Sequence, residues 1–234
     1  MSAAKFWRSL NRLHDLFLLL GFIVLMLISN YCVYDSYYIF THAEDDDITR
    51  YKPTVSGYDP DASPLSQDMA GWLTIDGTNI DYPVMYSTDS GKYLNTDPYG
   101  NYSLSGSIFL DSENSPDMTD DYLLIYGHHM EYGKMFGALD DFVDEGYLAS
   151  HKRGTLIVGR DGRQVYELQV IAAAKVDAKE DTVFRVSRSG DIARFISENA
   201  DVKTAEPHGR IAALATCAEN RSTMRVVVFC NIIE

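Results

Sequence analysis

The hydrophobic and polar positions divide the chain into two unlike parts. Leu16 to Ile28 is an almost unbroken apolar run. With the residues up to Tyr34 it covers about 19 positions, close to the ~20 that a helix needs to cross a bilayer. From residue 66 onward the apolar positions form short runs separated by turn-forming residues. The pattern predicts one membrane-spanning helix near the N-terminus, followed by a domain built mainly of β-strands.

Charged residues set the orientation expected for that helix. Lys5, Arg8 and Arg12 precede the apolar run and acidic residues follow it. The positive-inside rule then puts the N-terminus in the cytoplasm and the bulk of the chain outside. A cleaved signal peptide is the alternative, but no small-x-small site follows the run. We therefore expect a cytoplasmic N-terminus, a membrane anchor, an extracellular linker or helical lead-in, and a folded domain at 1–15, 16–34, 35–65 and 66–234.

The folded part has the spacing of a small all-β domain. Asp76-Gly77 and Asp161-Gly162 supply turn residues between apolar runs, and short helices are predicted at 136–142 and 191–199. Repeated short strands with regular turns predict a mainly β fold with peripheral helices, closed into a barrel. The strands are predicted at 71–75, 80–84, 107–110, 122–126, 155–158, 164–176, 210–215 and 224–232.

Composition narrows the possible functions. The 234 residues carry a formal net charge of −14, which argues against nucleic acid as a partner, since phosphate binding needs basic patches. The cysteines at 32, 217 and 230 do not form a disulfide scaffold, and no Cys/His cluster has zinc spacing. We expect no metal or cofactor. Cys230 is expected in the core, and a Cys217–Cys230 disulfide remains an alternative.

Two predicted strands end in reactive side chains. The strand at 210–215 leads to Cys217, with Arg225 opening the next strand, and the strand at 122–126 leads to His128 and His129. A thiolate is a strong nucleophile, imidazole exchanges protons near neutral pH, and a guanidinium can stabilise an oxyanion. The pattern indicates a nucleophile, an acid/base and a cation drawn from distant parts of the chain. The alternative is a buried structural cysteine beside a surface arginine.

These segments resemble a known family. Leu214-Ala215-Thr216-Cys217 followed by Arg225 is similar to the Cys/Arg signature of sortases, the cysteine transpeptidases of Gram-positive cell surfaces. Tyr126-Gly127-His128, with Lys-Met-Phe-Gly at 134–137, resembles their histidine segment. The stretches at 71–84, 93–95 and 106–111 are similar to class B sortases, and the similarity runs from about residue 66 to the C-terminus.

The resemblance implies a closed barrel of about eight strands preceded by N-terminal helices. It makes Cys217 the nucleophile, His128 rather than His129 the general acid/base, and Arg225 rather than Arg221 the stabilising cation. It also implies substrate contacts at Thr216, Ala215 and Leu214. Two positions depart from the pattern: Ala213 stands where the family usually has threonine, and Ala218 where class B enzymes often have an acid.

The resemblance further implies a reaction and its partners. Sortases cleave a C-terminal sorting motif of secreted surface proteins after a threonine, form a thioester, and pass the acyl group to an amine. That amine belongs to a cell-wall precursor or to a pilin lysine, and lipid contacts are expected through 16–34. The alternatives are a hydrolytic cysteine peptidase that uses the same residues and a non-catalytic peptide-binding surface module.

Overall fold

The computed structural model describes residues 3–42, 48–54, 58–216 and 223–233. The chain forms two compact units, Met1–Glu44 and Asp45–Glu234. The first is a single helix, α1 (Ala3–His42). It contains one stretch, Leu10–Tyr37, that is long and apolar enough to cross a membrane, judged by length and composition. Asn30 donates its side-chain amide to the Met26 carbonyl oxygen at 2.9 Å, so this polar group is satisfied inside the helix.

The second unit is a closed β-barrel, as the sequence predicted. The strands are β1 (Met69–Ile75), β2 (Asp81–Met85), β3 (Ile108–Leu110), β4 (Tyr122–Gly127), β5 (Arg153–Val158), β6 (Gln164–Asp177), β7 (Val202–Lys203), β8 (Arg210–Thr216) and β9 (Met224–Ile233). They pair in the order β5, β1, β2, β3, β4, β8, β9 and β6, and β6 pairs back to β5 to close the ring. The short β7 adds to the outer edge of β6.

Short helices lie before and between the strands. They are α2 (Glu145–Ser150), α3 (Asp181–Phe184) and α4 (Ile192–Asn199), with single-turn and short 3₁₀ segments at Ile48–Tyr51, Lys92–Leu94, Glu131–Gly133, Gly137–Val143 and Val186–Asp191. The helices expected at 136–142 and 191–199 therefore exist, and the first of them is a 3₁₀ segment. The insertion between β6 and β7 holds both α3 and α4.

Alternation along the central strands fills apolar clusters on both faces of the sheet. Leu123 and Ile125 of β4 pack in one cluster, whereas Tyr122 and Leu124 pack in another that also contains Val183, Ile192 and Ile196 of the β6–β7 insertion. This is the period of two expected for a strand buried on both faces. The barrel core therefore holds β4 and β8 in place, and the insertion covers their outer face.

Trp72 belongs to a third cluster, beneath the lead-in segment. It is fully buried, and its indole Nε1 donates to Asp81 Oδ1 at 2.6 Å. Lys52 Nζ lies 2.8 Å from the same carboxylate oxygen and ties the lead-in to β2. Trp72 is thus a core residue, and residues before β1 form part of the folded unit.

Candidate active site

Two neighbouring parallel strands deliver the predicted catalytic segments to one end of the barrel. β4 and β8 pair in register from Tyr122 opposite Ile211 to Gly127 opposite Thr216. His128 follows directly after this ladder on β4. Cys217 follows Thr216 in the sequence and lies, with Arg221, outside the described residues, so the roles of both stay predictions.

Gly127 lets the two strand ends approach the segment beneath them. A Cβ at this position would lie 2.3 Å from Ile108 Cδ1 and 2.8 Å from the Phe136 ring. Phe136 is fully buried, and its amide donates to the His128 carbonyl oxygen at 2.9 Å. Only glycine fits this contact, which seats His128 against the core.

The His128 imidazole is held by a backbone carbonyl. Its Nε2 lies 2.6 Å from the Leu94 oxygen. A carbonyl oxygen can only accept a hydrogen bond, so Nε2 carries a proton. The neutral ring therefore keeps its lone pair on Nδ1, and that nitrogen is the one able to exchange a proton.

His129 points to a different partner. Its Nε2 lies 2.7 Å from Asp140 Oδ2, and its backbone pairs with Met135. It is absent from the lining of the cavity that contains His128. The side chain of His129 is thus tied to the 3₁₀ segment Gly137–Val143, and the acid/base role of His128 stays a prediction.

Arg225 lies near the start of β9, opposite Val176 of β6. Its guanidinium carbon is 5.1 Å from the centre of the Phe184 ring, at the end of α3. Its Nε is buried and has no hydrogen-bond partner within the described part of the chain. On the neighbouring residue of β9, Val226 donates its amide to Thr216 Oγ1 at 3.2 Å. This bond joins the last described residue of β8 to the strand that carries Arg225.

A cavity of about 460 Å³ brings His128 and Arg225 together. Sequence reasoning assigned no role to most of the other lining residues, although Leu94, Asn95, Phe109 and Asp111 lie in the stretches that carry the resemblance. Asp111 and Ser112 directly follow the strand predicted at 107–110, and Tyr126 lies just before His128. Their positions at strand ends could have marked them as candidate site residues. The lining consists of Ser90, Leu94, Asn95, Phe109, Asp111, Ser112, Tyr126, His128 and Arg225.

Asp111 is the carboxylate in this lining. Its Oδ1 accepts the Glu113 amide at 2.8 Å, and the Tyr126 hydroxyl hydrogen-bonds to the same side chain. Burial raises the pKa of Asp111 above its ordinary value, and these hydrogen bonds oppose the rise. The cavity therefore presents a histidine, an arginine and a half-buried carboxylate to whatever enters it.

Leu214, Ala215 and Thr216 are all buried, Leu214 in the barrel core and Ala215 in the cluster beneath the β6–β7 insertion. None of the three is among the lining residues of the cavity. Substrate contacts at Thr216, Ala215 and Leu214 stay a prediction. Ala213, one of the departures, packs in the same apolar cluster as Ala215.

Three further observations concern a second cavity, metal binding and the buried cysteine. A larger cavity of about 580 Å³, with Asp68, Arg160 and Arg163 among its lining residues, contains neither histidine nor cysteine. Over the described ranges, no group of three or more His, Cys, Asp or Glu side chains is placed to hold a metal ion. Cys230 is fully buried opposite Ala212, and burial raises the pKa of its thiol to about 12.

A closed barrel that places histidine and arginine side chains on one cavity, beside the strand leading to a cysteine, defines a class of cysteine transpeptidases. Residues 73–233 match the family model of the sortase domain. Sortase B of Staphylococcus aureus is 30% identical over 181 residues, which cover 73% of this chain and 72% of that protein. Sortase B of Listeria monocytogenes is 37% identical over 112 residues, covering 48% of this chain and 44% of that protein.

Solved structures agree with this assignment. A class B sortase of Streptococcus pyogenes involved in pilus biogenesis superposes with a TM-score of 0.65 at 30% identity, covering 72% of this chain and 94% of that one. The substrate complex of S. aureus sortase B also gives 0.65, at 27% identity, covering 73% of this chain and 82% of that one. The chain belongs to the sortase family. It is a class B sortase, and hence a cysteine transpeptidase, as its sequence indicated.

Proposed function

We propose that this class B sortase joins secreted surface proteins to an amine of the cell-wall precursor, using Cys217, His128 and Arg225. The observation that carries the proposal is the shared cavity of His128 and Arg225 at the ends of β4 and β9, next to the strand that leads to Cys217. The substrate is the C-terminal sorting motif of a secreted protein, cleaved after a threonine.

The first half of the reaction forms a thioester. The Cys217 thiol passes its proton to His128 Nδ1, and the resulting thiolate attacks the threonine carbonyl carbon. The negative charge that develops on the oxygen is stabilised by the Arg225 guanidinium. The carbon–nitrogen bond then breaks, and His128 gives its Nδ1 proton to the leaving amine. Leu94 keeps the other ring nitrogen protonated throughout, so the imidazole presents the same atom in both halves of the reaction.

The second half transfers the acyl group. The acceptor amine attacks the thioester carbon and loses a proton to His128 Nδ1, and the carbon–sulfur bond breaks to regenerate the thiolate. Water in place of the amine would give hydrolysis by the same residues. Exclusion of water by the bound amine therefore decides between a transpeptidase and a peptidase.

Two acceptor amines are possible in this proposal. A sortase B has been solved in complex with triglycine, which favours a peptide amine of the cell-wall precursor. The S. pyogenes relative is involved in pilus biogenesis, which favours a pilin lysine. Both amines are primary and both need the same loss of a proton to His128.

The α1 helix supplies the location in this proposal. The stretch Leu10–Tyr37 anchors the chain in the cell membrane, with the basic residues before it in the cytoplasm and the barrel outside. Protease added to intact cells is expected to digest the barrel and leave α1 in the membrane. Protection of the barrel in intact cells would reverse the orientation.

The test of the activity uses the full chain in detergent. A library of quenched sorting peptides is incubated alone, with triglycine, or with a lysine-containing peptide, and products are identified by mass spectrometry. Cys217→Ala is the inactive variant, and Cys32→Ser is the matched control because Cys32 lies on the exposed surface of α1. We expect amine-linked products from the wild type and Cys32→Ser, and none from Cys217→Ala.

Each other outcome selects an alternative. Cleavage that depends on Cys217 but gives only hydrolysis with both amines identifies a peptidase. A product with the lysine peptide and none with triglycine identifies a pilin-polymerising enzyme. A folded chain that binds the peptides without cleaving any of them identifies a non-catalytic peptide-binding module.

A further inference from the structure

Arg225 lies against the ring of Phe184. A guanidinium within about 6 Å of a ring centre is attracted by the negative face of the ring, and here the distance is 5.1 Å. No described carboxylate forms an ion pair with Arg225, and its Nε is buried without a described hydrogen-bond partner. Within the described residues, the ring is the group that fixes the guanidinium.

The segment that carries Phe184 is held on both sides of the ring. Before it, the Tyr122 hydroxyl donates to the Val183 carbonyl oxygen at 2.8 Å, and both residues are buried. After it, Glu113 Oε2 accepts the Ser187 amide at 2.9 Å and the Ser187 hydroxyl at 2.8 Å. The Phe184 ring is thus attached to β4 and to the loop after β3, and both also shape the cavity.

The chain path explains why the ring reaches Arg225. Arg225 pairs with Val176 near the end of β6, and α3 begins at Asp181 shortly after that strand ends. The β6–β7 insertion therefore turns back over the first residues of β9. A ring placed there meets the guanidinium without a hydrogen bond to any of its nitrogens.

We propose that Phe184 is a positioning residue, whose ring holds the Arg225 guanidinium at the cavity and leaves the outer N–H groups for the substrate carbonyl oxygen. A carboxylate partner would hold the arginine equally well, but it would compete for those donors and neutralise the charge. A ring does neither. The inference rests on the role proposed for Arg225 in the transpeptidase reaction.

The test compares Phe184→Leu with Phe184→Tyr in the full chain, on a peptide that the wild type cleaves. Leucine keeps an apolar side chain and removes the ring, whereas tyrosine keeps the ring. We expect Phe184→Leu to lower kcat about 3- to 30-fold with little change in KM. We expect Phe184→Tyr to keep kcat near the wild-type value. Tyr166→Leu is the matched control, because the Tyr166 ring lies 5.1 Å from the Arg210 guanidinium outside the cavity lining.

A double-mutant cycle separates positioning from a general structural role. In an Arg225→Ala background, measured by single turnover, Phe184→Leu is expected to change the rate by less than about twofold, because there is no guanidinium left to position. An equal loss in both backgrounds would overturn the inference, as would a wild-type kcat in Phe184→Leu. An effect of Tyr166→Leu on kcat as large as that of Phe184→Leu would also overturn it.

A spectroscopic measurement keeps this test independent of the proposed activity. The Arg225 Nε–H resonance, assigned from its loss in Arg225→Lys, is expected to move when Phe184→Leu removes the ring and to stay near its place in Phe184→Tyr. A chain that cleaves no peptide yet shows this shift would contradict the transpeptidase proposal and keep the Phe184–Arg225 contact. Cleavage without the shift would contradict the contact alone.

Discussion

The Nε2 atom of His128 and the carbonyl oxygen of Leu94 lie 2.6 Å apart, which joins the end of β4 to the 3₁₀ segment Lys92–Leu94. The orientation of His128, the proposed acid/base, thus depends on a segment far from it in the sequence. That segment is attached to the barrel through Asp68, whose carboxylate accepts from the Tyr93 hydroxyl at 2.7 Å and from Lys92. Residues outside the cavity therefore affect how well His128 is placed.

The first prediction concerns this attachment. The hydrogen bonds from Lys92 and Tyr93 lower the pKa of Asp68. A carboxylate with a lowered pKa contributes stability that is present above its unfolded pKa and is lost as the pH falls through the folded value. We expect Asp68→Asn to lower the free energy of unfolding at pH 7 by less than about 1 kcal/mol, since the Asp68–Lys92 pair is partly exposed.

Chemical denaturation across pH measures the effect. The difference between wild type and Asp68→Asn is expected to shrink as the pH falls below the ordinary range for aspartate, and kcat is expected to drop a few-fold as the Leu94 carbonyl loses its support. A difference that stays constant down to acidic pH would contradict the assignment. Asp76→Asn, at an exposed turn, is the control.

The second prediction concerns Gly127. A methyl group there would meet Ile108 at 2.3 Å and the Phe136 ring at 2.8 Å, so Gly127→Ala forces the end of β4 away from the core. We expect a loss of about 1–3 kcal/mol in the free energy of unfolding, typical of an overpacked core, and a larger proportional loss of activity. Gly190→Ala is the matched control, because a Cβ at Gly190 has nothing within 4 Å. Equal stability of the two variants would contradict the close contact.

The third prediction concerns the carboxylate in the cavity. Burial raises the pKa of Asp111, so its ionised form costs stability in the folded state. The pH dependence of stability has the opposite sign to that of Asp68. The stability that Asp111 contributes is fully present below its unfolded pKa and is lost as the pH rises through the folded pKa. We therefore expect Asp111→Asn to raise the free energy of unfolding at pH 7, and the gain to vanish at acidic pH.

Asparagine preserves an oxygen for the Glu113 amide, so the loop after β3 is expected to keep its shape in Asp111→Asn. Denaturation of both proteins at several pH values checks the prediction. A variant less stable than the wild type at pH 7 would mean that the ionised carboxylate stabilises the fold despite its burial. That result would contradict the prediction.

The fourth prediction uses the cysteines. Cys230 is buried and its thiol pKa is raised to about 12, so it is unreactive in the folded chain. In a Cys32→Ser chain, a thiol reagent is expected to modify one site, Cys217, and to abolish cleavage in proportion. A Cys217→Ala/Cys32→Ser chain is expected to react only after unfolding, which exposes Cys230. Fast labelling of that folded double variant would contradict the burial of Cys230.

Several elements could be predicted because local pattern and structure agree. Two mainly apolar runs, each leading to a polar segment, form the neighbouring strands β4 (Tyr122–Gly127) and β8 (Arg210–Thr216). The barrel follows from such strands and the turns between them. Apolarity alone indicated 16–34 as the membrane segment, whereas the α1 helix extends from Ala3 to His42, because helix ends depend on backbone bonding and not on hydropathy.

The rest of the site depends on long-range packing. Asp111 reaches the cavity because β3 pairs antiparallel with β4, and Phe184 reaches Arg225 because the β6–β7 insertion turns back over β9. Neither position has a local signal that separates it from other acids and aromatics. Leu214 and Ala215 belong to the motif, and both are buried because β8 is covered on both faces. Their substrate contacts stay a prediction.

The parallel pairing of β4 with β8 also affects how the catalytic domain folds. Residues 128–209 lie between these strands in the sequence, and parallel neighbours cannot form through a local hairpin. Pairings of this kind make folding slow, since the intervening chain must be ordered before the contact is gained. No fragment that stops before β8 has a site, and during refolding catalytic activity should be among the last properties to return.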